Sequence, residues 1–343
     1  MHGALSRDRA LRLAAEIKTL LEHSHEPITI AIKSSGGKVE AFFELETLFN
    51  AQDQANLNGQ IITSARQAGS AAACLLVAGH FAYATRQARI FFHGTRFRPP
   101  VRLKMLKREN ALALAMRLDR ENRKVASMLA KRVVARMARR YLGLKLSARN
   151  RFFPDRPWIF FKNFADAIRP QLSSRKAEKL LYESLDRLKL ILAVKRYYPT
   201  SMRRINRTNF APREASLCKA VVDYETNARE SEDWSLDSTA TAELMMDYLL
   251  ARDHVRGEHL ATIQNLTRGV GMRFFTTAEN RKCAQLRKTD PAMADAYLLR
   301  TVMPRLLGFW YFASTLCHRL LSGENSLSAK DAYWLGLIDD ILD

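Results

Sequence analysis

Cysteine is scarce: the 343 residues hold four, Cys74, Cys218, Cys283 and Cys317, and none stands in a CxxC or Cys/His spacing. That argues against a disulfide framework and against a metal centre, and the thiols read as buried groups of a reducing compartment. Long apolar runs are missing as well. The longest late one, residues 306–316, is too short to span a bilayer. Glu16 and Lys18 interrupt the apolar pattern of residues 11–21, so no secretory leader is expected. No internal repeat or low-complexity tract occurs. A cytoplasmic chain with no membrane contact follows.

Acidic residues are scarce in one place only. The chain has 55 Lys+Arg against 35 Asp+Glu, a formal net charge of +20, with 47% hydrophobic residues and 26% charged ones. Residues 94–213 carry about 32 of the basic groups and about 8 of the acidic ones, so the rest of the chain is slightly acidic. A segment so basic is expected to meet nucleic acid or another polyanion in a salt-dependent way. Arg132, Arg136, Arg139 and Arg140 recur at helical spacing and could form its binding face. Arg203, Arg204 and Arg207 make a second cluster. The competing readings are a solvated helical face, or arginines that hold subunits together.

Residues 7–22 read as an amphipathic helix, and residues 28–32 as a short β-branched strand buried in a parallel sheet. A helix at 39–50 follows, then a strand at 60–65, a run of small helix formers at 70–78 stopped by Gly79, and two short strands at 81–85 and 89–92. Strands alternating with helices argue for βα units around a parallel sheet. After Pro99-Pro100 the pattern is helical to about residue 141 and again to about 194, with aromatics and basic groups interleaved at 151–164. Those aromatics read as a small core rather than a base-stacking platform. A polar loop is expected at 225–238, and helices at 239–252, 256–267 and 292–321. His254 and His259, five apart, have a poor spacing for metal and receive no role.

Three short stretches carry chemistry. In KSSGG, residues 33–37, paired glycines at the end of a strand let backbone N–H groups approach a ligand, although most such turns are only turns. In QAGSAAACLLVAG, residues 67–79, Ser70 stands between a strand and the first turn of a helix, whose N–H groups and dipole can stabilise an oxyanion. The plainer reading makes Ser70 an N-cap. In ARIFFH, residues 88–93, His93 closes a buried strand, where most histidines are structural.

In this order and spacing the three stretches resemble the Clp protease proteolytic subunit family, a ClpP/crotonase-like serine peptidase fold. Ser34-Ser35-Gly36-Gly37 matches the family's SPGG, with serine for proline, and Ala68-Gly69-Ser70-Ala71-Ala72 matches its AASMGA-like run. Leu75-Leu76-Val77-Ala78-Gly79 follows in register. The closing stretch LSAKDAYWLGLIDDIL, residues 327–342, is similar to the family's LSAPEAVEYGLVDSIL.

The resemblance covers about 3–96 and 322–342. It implies an α/β spiral of βα units in residues 1–98 and 322–343, split by a basic, mainly helical insertion at 99–321 that includes a handle helix near 104–139. It also implies a serine endopeptidase acting through an acyl-enzyme without cofactor or metal. Ser70 is the expected nucleophile and His93 the base. Glu324, four residues before Ser328, is the expected third member, with Asn325 and Asp331 next in line. Backbone N–H groups of Gly37 and Ala71 are expected to hold the oxyanion. The expected partners are a peptide or protein substrate and further copies of the chain. Because the match starts almost at Met1, the expectation is that either the family's first strand and gating segment are missing or the start of the chain is misplaced, and docking of an unfoldase is doubtful. The rival expectations are a catalytically silent scaffold and a polyanion-binding module on the same core.

Overall fold

The computed structural model describes residues 1–24, 26–54, 60–96, 108–143, 157–197, 277–290, 293–294, 297 and 303–343. Helix α1, Arg7–His23, starts at Ser6, whose hydroxyl accepts the Arg9 N–H at 3.3 Å, and Asp8 lies in its first turn. Strand β1 is Ile28–Ser34, and residues 1–5 lie alongside it through bridges between His2 and Lys33 and between Leu5 and Gly37. Helix α2 is Val39–Gln54, β2 is Ile61–Gly69, α3 is Ala71–Ala78 and β3 is Phe81–Phe92. Next come α4 at Arg108–Gly143, α5 at Pro157–Ile168, α6 at Arg175–Tyr197, α7 at Thr277–Thr289 and α8 at Met303–Ser322. The chain closes on β4, Asn325–Ser328, then α9, Ala329–Trp334, and β5, Asp340–Leu342. The ClpP/crotonase-like α/β core is what this order builds.

β1, β2 and β3 pair in parallel, in that order. β3 runs on as one strand where two short ones were expected, although its pairing with β2 jumps from Ala84 to Arg89, so it pairs as two segments. β5 pairs in parallel with residues 83–85, and β4 pairs antiparallel with residues 89–92. In β1 the burial alternates, with Ile30, Ile32 and Ser34 buried and Thr29, Ala31 and Lys33 exposed, so only one face of this strand is covered. α3 is buried at all eight positions, packed between the sheet, α2 and α4. A helix apolar all round can sit only inside a core. Among the described residues, no helix is long and apolar enough to cross a membrane.

Three of the α4 arginines expected to form a polyanion-binding face make contacts within the core. Arg136 is completely buried: its guanidinium donates to the carbonyls of Val77, Gly79 and Leu337 at 2.8–2.9 Å and to Asp339 Oδ2 at 2.7 Å. Arg132 Nε donates to Ala78 O at 3.0 Å, and Arg140 donates to the Ile338 and Asp339 carbonyls while stacking on Tyr333. These groups cap the last turn of α3 and fasten the C-terminal segment. Burial draws the Arg136 guanidinium down to about 10, and the Asp339 carboxylate resists that fall. The side chain of Arg139, the cluster Arg203, Arg204 and Arg207, residues 225–267 and both His254 and His259 lie outside the described residues.

The chain divides into two compact units. The first comprises Met1–Leu144, Asp166–Leu181 and Leu316–Asp343, and contains the sheet and α4. The second comprises Lys145–Ala165 and Tyr182–Thr315. In the second, Phe161 and Phe164 are buried against Phe312, with centroids 6.0 Å apart in each pair. These two members of the 151–164 run therefore form core.

Candidate active site

Ser70 joins β2 to α3, and its backbone is the unusual one. With φ 52° and ψ −126° it has the one positive φ outside glycine among the described residues. Such a conformation costs on the order of 1–3 kcal/mol and persists only where neighbours impose it. The neighbours are identifiable. The Ser70 N–H donates to Phe91 O at 2.7 Å across the β2–β3 ladder, and the Ser70 carbonyl accepts from Ala73 and Cys74 in the first turn of α3. The side chain makes no capping hydrogen bond, so the N-cap reading does not account for the serine.

The Ser34–Gly37 turn is pressed against this elbow. Gly36 has φ 117°, and a Cβ there would lie 2.5 Å from Ser70 Cβ and 2.7 Å from Gly69 O, so no other residue fits. Ser34, buried, takes the Gly36 N–H on its hydroxyl at 3.1 Å and so shapes the turn, in which Ser35 is the residue set against the family's proline. The N–H groups of Gly37 and of Ala71, the first residue of α3, donate to no described acceptor. Two free donors beside a serine, one at a helix N-terminus, are what a developing oxyanion requires.

His93 follows β3 directly and shares a strand face with Phe91, the residue that holds Ser70; the two rings are 5.6 Å apart. Its Nδ1 lies 2.7 Å from Gly94 O. A carbonyl only accepts, so Nδ1 carries the proton and Nε2 is left as the basic nitrogen. No hydrogen bond joins Ser70 Oγ to His93.

The third expected member stands elsewhere. Glu324 sits in the turn before β4 with its side chain 68% exposed, and its carboxylate pairs with Arg96. It makes no hydrogen bond to His93. Asn325 donates to the Arg319 and Leu320 carbonyls and closes the end of α8. Asp331 is buried at the start of α9, where Oδ1 accepts the Ser173 N–H at 2.6 Å. Neither turns to the histidine.

Two features went unread in the sequence. Asn122 of α4 accepts the Thr95 N–H on Oδ1 at 2.7 Å, beside the histidine turn. One turn earlier Asp119 accepts from Arg123 Nε at 2.5 Å and lies 3.1 Å from His318 Nε2 on α8. Burial pushes the Asp119 carboxyl up, but the bonds to His318 and Arg123 outweigh it and hold the group at about 2. The one signal was Asp119, Asn122 and Arg123 at helical spacing within a stretch already rich in charge. Cys74 and Cys317 are buried, and burial pushes the Cys74 thiol to about 12 and Cys317 up as well, which leaves both inert. Among the described residues, no group of three His, Cys, Asp or Glu could hold a metal ion.

No curated protein matches the chain. Residues 1–138, which contain the glycine turn, the serine elbow, the histidine and most of α4, match the family model described as Clp protease. That stretch of the chain is therefore similar to Clp proteases, and the match stops at residue 138 of 343.

Proposed function

We propose that the chain is a serine-type peptidase that cleaves peptide bonds through an acyl-enzyme on Ser70. The observation that carries this reading is the imposed φ of 52° at Ser70, with Gly36 packed on its Cβ and the N–H groups of Gly37 and Ala71 unused. A structural serine gains nothing from such a backbone, whereas a nucleophile held clear of its helix does. In the reaction, Ser70 Oγ attacks the scissile carbonyl as its proton passes to His93 Nε2. The oxyanion rests on the Gly37 and Ala71 N–H groups. The imidazolium then gives the proton to the leaving amine, and water repeats the sequence to free the acid. Self-association, which the family likeness implies, belongs to this reading, and bringing Ser70 within reach of His93 is the step it would complete. The polyanion reading loses Arg132, Arg136 and Arg140, which are spent on carbonyls and Asp339.

Hydrolysis of a library of fluorogenic peptides tests the proposal. Ser70→Ala and His93→Ala should each lower turnover by about 10³-fold or more while the circular dichroism is unchanged. Turnover that survives Ser70→Ala overturns it. A wild-type protein that assembles and cleaves nothing supports the silent scaffold instead.

A further inference from the structure

The turn after His93 is closed by a side chain from outside the three motifs. Beyond Phe92 the backbone passes through His93, Gly94 and Thr95 against α4 and α8. A Cβ on Gly94 would lie 2.5 Å from Leu321 O and 2.6 Å from Asn122 Nδ2, so the chain can pass there only as glycine. Asn122 Oδ1 then accepts the Thr95 N–H at 2.7 Å. The Gly94 carbonyl and the Thr95 N–H are the two ends of one planar peptide group. The carbonyl end of that group receives His93 Nδ1–H, also at 2.7 Å. One amide therefore links Asn122 to His93, donating at one end and accepting at the other, and each bond polarises it in the sense that strengthens the other.

We propose that Asn122 is the positioning residue for His93: it holds the Gly94–Thr95 peptide, and that peptide, not a carboxylate, fixes the ring's orientation and tautomer. The catalytic consequence rests on the Ser70–His93 reading above; the positioning itself does not. A peptide dipole carries no net charge, so it orients the ring fully but stabilises the imidazolium less than a carboxylate would. Glu324, held by Arg96, is left to a surface role.

The test uses the full chain labelled with ¹⁵N-histidine, the His93 signal being identified by its loss in His93→Gln. Wild type should show His93 protonated on Nδ1 and bare on Nε2. Asn122→Ala should shift the ring towards the Nε2–H form that free histidine favours, and slow fluorophosphonate labelling about tenfold. Asn122→Asp keeps an acceptor for the Thr95 N–H and should restore both, while Glu324→Gln should leave the tautomer as in wild type. Persistence of Nδ1–H in Asn122→Ala overturns the proposal, as does a wild-type ring already protonated on Nε2. A wild type that resists the probe yet shows the tautomer shift removes the peptidase reading and keeps the positioning one; labelling without the shift does the reverse.

Discussion

At the scale of the residue, the cost of holding Ser70 at φ 52° is the most specific physical fact about this chain. Ala71 and Ala72 pack without strain in the same helix, so the penalty belongs to the serine alone. Glycine has no Cβ and accepts this conformation freely. Ser70→Gly is therefore expected to raise thermal stability relative to Ser70→Ala, by about 1 kcal/mol after allowing for glycine's greater freedom when unfolded. Both variants should be inactive. Equal melting temperatures for the two would mean that the backbone at this site is not strained. The pairing of Glu324 with Arg96 belongs to the same scale: two exposed side chains, 68% and 59% accessible, gain little from each other in water. The sequence register placed Glu324 four residues before Ser328, but register along a strand does not settle the direction of an exposed side chain.

At the scale of the element, α3 joins the serine elbow to the arginines of α4. Its N-terminal end presents Ser70 and the Ala71 N–H, and its C-terminal carbonyls receive the guanidinium groups of Arg132 and Arg136. Cations at that end complement the helix dipole, whose positive end faces the proposed oxyanion. Arg136→Met removes a cation and leaves the Asp339 carboxylate, 11% exposed, with the Ala82 N–H but without this guanidinium. The expected loss is about 3–5 kcal/mol. Arg132→Met, which forfeits the bond to the Ala78 carbonyl, should cost less, about 1 kcal/mol for that bond. Chemical denaturation of the two variants checks this, and a mild effect of Arg136→Met would return that residue to a surface role. The helical spacing of these arginines was legible in the sequence, yet spacing says only that they share a face. Which way the face points depends on the carbonyls of residues 77–79 and 337–339, distant in sequence, so charge alone did not reveal these contacts. Asn122 was hidden for a similar reason: an asparagine inside a helix is mildly unfavourable, and its use appears only when Thr95 is seen beside it.

At the scale of the whole molecule, what could be read early was what is local. The strand–glycine turn, the serine at a strand–helix junction and the histidine at a strand end are each set by a handful of consecutive residues, and the sheet order β1-β2-β3 follows from their repetition. What could not be read is what crosses long separations. β4 returns from residues 325–328 to the edge of β3, and β5 from residues 340–342. The central claim is that Ser70 is a nucleophile activated by His93, and it is tested most directly by mapping a fluorophosphonate adduct on the assembled protein by mass spectrometry. A single adduct on Ser70, lost in His93→Ala, is the predicted result. An adduct on any other serine, or equal labelling of Ser70 in His93→Ala, would contradict it.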